Sequence, residues 1–198
     1  MPQVSPVLPQ DGGQEDGLMV VIAVSGLHGS GKSTYAREIA RQFGLRYVSA
    51  GMAFRKVAEE RGMTLEELTK LAGRDPEVDK AIDEMVKREA ERGDVVLDGL
   101  LVAWMAGDRA DIKIFLTAPF EERVRRIAVR DGKKLEDALE ETKFREVAEA
   151  DRFRRYYGID IHDLSIYDVV LNTALMPLKS NVKILKEIIR EYIASRGE

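Results

Sequence analysis

The chain is predicted to adopt an α/β fold, three layers deep, with a central parallel sheet of five strands. Three observations carry that prediction. Apolar runs recur at residues 20–24 and 95–97, and again at 112–116 but for Lys113; the continuous one at 95–97 suits a strand buried on both faces. Stretches of helical period separate them, the alternation that builds parallel sheets through right-handed crossovers. The first run leads directly into Gly-Leu-His-Gly-Ser-Gly-Lys-Ser at 26–33, where a strand gives way to a helix.

Taken in order, residues 1–17 hold Pro2, Pro6, Pro9, Gly12 and Gly13 without hydrophobic periodicity. A disordered N-terminal tail is expected there, with one folded domain over 18–198. After the strand at 20–24, a helix carries Ala36, Ile39, Ala40 and Phe43 on one face and stops at Gly44. Residues 46–49 form a short second strand, and 50–55 turn into another helix. Thr64 followed by Glu67 is a capping box, opening a helix that ends at Gly73. Asp75-Pro76 places a cap and a first-turn proline before a helix to about Arg92, with Val78, Ile82, Met85 and Val86 on one side. These three helices, over about 51–92, make an excursion too long for a simple crossover. Residues 94–98 are the third strand, 100–106 a short helix, and 112–116 the fourth strand. Pro119 opens a helix to about Arg130, and 135–156 reads as a longer one. A fifth strand at 168–171 and a closing helix at 182–193 complete the chain.

Bulk properties exclude several classes. The formal charge is −4, and Asp11, Glu15 and Asp16 of the tail account for −3, leaving −1 for the rest. Residues 119–155 hold eleven basic and ten acidic side chains, net +1, which argues against a nucleic-acid surface. With no cysteine and two histidines, disulfides and thiolate metal sites are ruled out. No signal peptide or span-length apolar run is visible. The expectation is a cytoplasmic protein, monomeric, acting on a small molecule and engaging neither nucleic acid nor membrane.

Residues 26–33 fit G-x-x-x-x-G-K-[ST], the phosphate-binding loop. Its glycines bring bare N–H groups up to anionic oxygens, and the following helix points its positive end at them. Gly26, Leu27, His28, Gly29, Ser30, Gly31, Lys32, Ser33 and Thr34 are therefore expected to cradle ATP. Lys32 would reach the outer phosphates and Ser33 would ligate Mg²⁺. His28 occupies a variable loop position and is expected to be solvated or bonded to backbone. Asp98 ends the third strand at the sheet edge where the loop opens, placed to hold Mg²⁺ directly or through water; the alternative is an ordinary turn or capping acid. Arg123, Arg126 and Arg130 fall at i, i+3 and i+7, and Arg145, Glu149 and Arg152 at i, i+4 and i+7. Each set shares a helix face, so two helices are predicted to turn arginines toward one cleft. Phosphoryl transfer needs such donors, because its transition state spreads charge over three equatorial oxygens. The alternative is surface ion pairing around Glu149.

With these features in place, the chain resembles nucleoside monophosphate kinases, most nearly the archaeal type of cytidylate kinase. The resemblance runs from about Val20 to Ile193. It rests on Val-Ser-Ala-Gly at 48–51 with Phe54-Arg55, Glu-Glu-Arg-Gly-Met at 59–63, Asp-Pro-Glu-Val-Asp at 75–79, Ala-Trp-Met at 103–105, Lys-Phe-Arg at 143–145, and Tyr-Gly-Ile-Asp at 157–160 leading to Ser-Ile-Tyr-Asp at 165–168. It implies a P-loop kinase fold with an inserted acceptor-binding arm at about 51–92 and a helical lid at about 119–156. The implied reaction moves the terminal phosphoryl of ATP to CMP or dCMP with Mg²⁺. Arg55 would meet the acceptor phosphate, Arg145 and Arg152 would grip phosphates, and Glu149 would orient them. Leu100 stands where family members have arginine, Met52 where many have aspartate, and Ala148 and Ala150 where some place arginine. Those departures keep two alternatives open: a kinase for another monophosphate or a small alcohol, and an ATP-switched binding or assembly protein.

Overall fold

The computed structural model describes residues 19–196; the tail expected at 1–17 lies outside the described residues. Five parallel strands, β1 (Val21–Gly26), β2 (Arg46–Ser49), β3 (Val95–Asp98), β4 (Ile112–Thr117) and β5 (Val169–Asn172), form one sheet in the order β2-β3-β1-β4-β5. From β1 the chain first winds toward β2, and after β3 it crosses to β4 on the other side. A crevice therefore opens beside the carboxyl end of β1, the usual ligand position in wound sheets.

Alternation along the strands assigns the two faces. Ile22, Val24, Val96, Ile114 and Leu116 pack with Tyr35, Ala36 and Ile39 of α1 (Lys32–Phe43) and with Leu185 and Ile189 of α8 (Leu178–Ser195). Val21, Ala23, Val95 and Leu97 face Val86 and Ala90 of α4 (Glu77–Glu91) and Val102 and Ala103 of α5 (Val102–Ala106). Burying each such Ile, Leu or Val side chain contributes roughly 1.5–3 kcal/mol, which makes the sheet the rigid support for the loop at its edge. α8 begins four residues before the expected start, because the buried residue of its first turn is the polar Asn181 while the apolar Leu178 there is exposed. The amide of Asn181 donates to the Tyr35 hydroxyl at 2.9 Å and the Met176 carbonyl at 3.0 Å.

Between β2 and β3 lie α2 (Ala50–Glu60), α3 (Leu65–Ala72) and α4. Both halves of the capping box at Thr64 and Glu67 are formed. Pro76 is the N-cap of α4 rather than its first helical residue, and the Asp75 carboxylate accepts from the Glu77 N–H at 3.0 Å. After β4 come α6 (Phe120–Asp131) and α7 (Leu135–Tyr157). The last turn of α7 grips the excursion with three consecutive residues. Arg155 donates to the Gly73 carbonyl at 3.1 Å, Tyr156 to the Ala72 carbonyl at 3.0 Å, and Tyr157 to the Asp83 carboxylate. Replacing Thr64 with alanine should cost about 1 kcal/mol, read as a lowered denaturation midpoint with unchanged m-value. No change in midpoint would mean that packing alone holds α3.

Candidate active site

Residues 26–33 leave β1 and wrap the start of α1, with Gly31 as its N-cap. Two glycines here are steric necessities. A Cβ on Gly29, at φ +75°, would lie 2.3 Å from the Arg123 carbonyl oxygen, and one on Gly26 would lie 2.3 Å from that of Leu116. The loop is thus wedged between β4 and α6. Thr173 braces its far side: its hydroxyl donates to the Ser30 carbonyl at 2.8 Å while Arg126 donates to that hydroxyl at 2.8 Å.

Parallel register puts Ser49 and Val24 level with Asp98, so the acid stands beside the loop. Tyr47 donates its hydroxyl to Asp98 Oδ2 at 2.6 Å, and Asp98 is 1 % exposed. The capping alternative fails, because the N-cap of α5 is Leu101 and takes no side-chain bond. Lys32, whose ammonium reaches only the Leu27 carbonyl at 3.3 Å among the described residues, has its pKa lowered by burial, opposed by Asp98 and Glu149.

Lys32, Arg55, Asp98, Arg130, Arg145 and Arg152 line one cleft together with Glu149. Crowding shows in Arg55, whose pKa is lowered by burial and then by Arg130 and Arg145. At the cleft's other end Arg152 Nε stands 2.6 Å from Asp79 Oδ2, an ion pair off hydrogen-bonding alignment. Burial lifts Asp79 to about 6 against the pull of Arg152, with Asp83 and Glu149 adding to the rise. Among the described residues, Asp98 Oδ1, Arg145 Nε and Arg152 Nη1 are buried without a hydrogen-bond partner. One anionic acceptor and two cationic donors left unmatched in a cleft suit a metal-bound phosphate ligand, since unpaired buried polar groups are costly otherwise.

Three expectations change. His28 is neither solvated nor bonded to backbone through its ring: Nε2 lies 2.8 Å from Glu149 Oε2. Burial lowers the His28 pKa against the pull of Glu149, and a ring N–H at Nε2 donates to the carboxylate. Burial also pushes Glu149 up, but His28, Arg145 and Arg152 outweigh it and hold the carboxyl at about 2. Second, α6 does not present its three arginines together. Arg130 reaches the cleft; Arg126 bonds to Thr173 and Glu122 and lines the adjoining groove with Lys32, Arg130 and Arg145. Arg123, 5 % exposed, donates to the Ala118 and His28 carbonyls and pairs with Glu146 of α7. Spacing fixes a helix face; it does not say which acid across the interface claims the guanidinium. Third, the pairing around Glu149 is buried: Arg145 stands 3.6 Å from it, with side chains 14 % and 8 % exposed.

Sequence reasoning missed Tyr47, Asp79, Asp83 and Glu146. Asp79 and Asp83 carried a usable signal, since with Ile82 and Val86 they occupy i, i+3, i+4 and i+7 of the buried α4 face. Leu100, half-buried, packs near Leu27, Leu101 and Phe153. Met52 is 48 % exposed, and its sulfur lies 3.6 Å from the Arg37 guanidinium.

Fold and site together define a P-loop phosphotransferase. Solved structures agree on the fold: shikimate kinase from Bacteroides thetaiotaomicron superposes with a TM-score of 0.57 at 21% identity, covering 87% of this chain and 99% of that one. The Acinetobacter baumannii shikimate kinase gives 0.58 at 15%, covering 88% and 94%. The model of the cytidylate kinase-like family matches residues 21–175, and the chain belongs to that family. It is 49% identical over 175 residues to a cytidylate kinase of Staphylothermus marinus, covering 88% of this chain and 99% of that one. With a cytidylate kinase of Ignicoccus hospitalis it shares 50% over 171 residues, covering 86% and 99%.

Proposed function

We propose that the protein transfers the terminal phosphoryl group of ATP to CMP or dCMP. The observation that carries this is a phosphate loop opening into a cleft whose near end is lined by Lys32 and arginines and whose far end is apolar and acidic. Donor phosphates belong on the loop amides and Lys32. The groove beside Thr34, Arg126, Ala174 and Pro177 gives the donor base a place against the P-loop. Arg55, Arg130 and Arg145 neutralise the moving charge and the acceptor phosphate. Phe54, Ile82, Leu101 and Phe153 provide apolar walls for a flat base, and the Asp79 and Asp83 carboxylates can accept from the exocyclic amine that cytosine has and uracil lacks.

Ser33 and Asp98 would hold Mg²⁺. Among the described residues no cluster of three His, Asp or Glu side chains forms a metal cage, which suits an ion that completes its shell with water and substrate phosphates. An ion held by these two residues would supply charge neutralisation on the donor phosphates. The acceptor phosphate is itself the nucleophile and is ionised at neutral pH, so no general base is required of the protein. Residues 51–92 form the acceptor arm and 119–156 the lid in this reading. Among the described residues no helix is long and apolar enough to cross a membrane, and we place the protein in the cytoplasm as a monomer.

ADP release measured against CMP, dCMP, UMP, AMP and GMP tests the assignment. CMP or dCMP should stimulate it at least roughly tenfold above the others, a difference of about 1.4 kcal/mol in transition-state binding. Leu100→Arg adds a donor near the acceptor and should alter the CMP KM more than kcat. Stimulation confined to another acceptor would overturn the CMP assignment.

A further inference from the structure

Residue 28 is tied to α7 twice, once directly and once through Arg123 of α6. Its backbone carbonyl accepts from Arg123 Nη1 at 2.9 Å, and Arg123 is paired with Glu146. Its ring Nε2 lies 2.8 Å from Glu149 Oε2. Glu146 and Glu149 are one turn apart, so successive turns of α7 bear on a single residue of the phosphate loop, Glu149 directly and Glu146 through Arg123. The wedged Gly29 lets α6 approach closely enough for this arrangement.

Glu149 divides its two oxygens unequally. Oε2 is taken by His28, while Oε1 stands 3.6 Å from Arg145 Nη2, beyond hydrogen-bond length. Arg145 therefore stays close to a counter-charge without being consumed by it, and its buried Nε has no partner among the described residues. Without the ring, a buried carboxylate would be left with an unmatched oxygen beside a guanidinium. Carboxylate and guanidinium favour the two-bond fork, and closing it would take Arg145 away from the cleft.

We infer that His28 is a positioning residue: by holding one oxygen of Glu149 it keeps Arg145 available to phosphate, and it ties that arginine to the loop that receives the donor. The inference rests on the reading in which Arg145 contacts phosphate. Steady-state kinetics with ATP and CMP, alongside thermal denaturation, test it in His28→Ala, His28→Gln, His28→Ala/Glu149→Gln and Arg145→Ala. His28→Ala should lower kcat roughly 10- to 100-fold, the scale of one charge-assisted hydrogen bond, with the ATP KM changed less than about threefold. Gln places an N–H near the position of Nε2 and should restore most of the loss. Glu149→Gln added to His28→Ala should also raise kcat, because a neutral amide no longer sequesters Arg145. A purely structural role would move the melting temperature without either rescue. The inference is overturned if His28→Ala keeps wild-type kcat while Arg145→Ala is impaired, or if neither rescue occurs. Full activity in Arg145→Ala would remove the premise itself, and the inference with it.

Discussion

Replacing Lys32 with alanine is expected to lower kcat/KM for ATP and CMP by at least roughly 10³-fold, the upper range for deleting one preorganised donor at a developing charge. The ammonium sits at the convergence of the loop, Asp98 and the cleft arginines, and its one hydrogen bond among the described residues, to the Leu27 carbonyl at 3.3 Å, is weak. Its position is thus poorly explained by stability. Burial lowers its pKa, with Arg145 and Arg130 acting in the same direction, so holding it charged costs the empty protein free energy. The variant should consequently melt no lower than the parent while losing ATP affinity in calorimetry. Near-normal turnover with intact melting would refute the assigned mechanism; a large fall in melting temperature would assign Lys32 to the fold.

Asp98→Asn is expected to reduce kcat about 10²-fold, the low end for losing one preorganised electrostatic group, and to shift the Mg²⁺ dependence of turnover to higher concentration. The substitution keeps shape and leaves an oxygen able to accept from Tyr47, so the 2.6 Å contact with that hydroxyl can persist. What changes is the charge beside Oδ1, the buried oxygen without a partner. An unchanged Mg²⁺ titration alongside reduced kcat would exclude metal binding by Asp98. In that case its role would be confined to supporting Lys32 electrostatically.

Local rules made much of this molecule readable. Apolar runs identified β1, β3 and β4; the Thr64–Glu67 box marked the start of α3; and Gly44 ended α1 in the left-handed conformation. The phosphate loop was legible because its glycines, lysine and serine are fixed by backbone geometry and charge. The start of α8 was not, because its buried first-turn contact is a hydrogen-bonded amide, invisible to a hydrophobic period. Arginine roles were readable only to the level of a helix face. Arg123 and Arg145 look alike in sequence, yet the acid opposite each one decides its environment. Glu146 engages Arg123 closely, while His28 occupies Glu149 and leaves Arg145 loosely paired. Those outcomes depend on contacts 23 and 121 residues apart, which no local pattern encodes.

The grip of α7 on the end of α3 bears on how readily that end opens. If the end of α3 alone peels from α7, with the Tyr157–Asp83 and Arg152–Asp79 contacts to α4 kept, the Ala72 and Gly73 carbonyls lose Tyr156 and Arg155 and return to water. Exchanging two such bonds for hydration costs only about 1–3 kcal/mol net. That range corresponds to an open state populated at roughly one part in six to one part in a hundred and sixty. A latch of that strength biases the end of α3 toward α7 yet permits frequent opening, while the contacts of α4 with α7 stay in place.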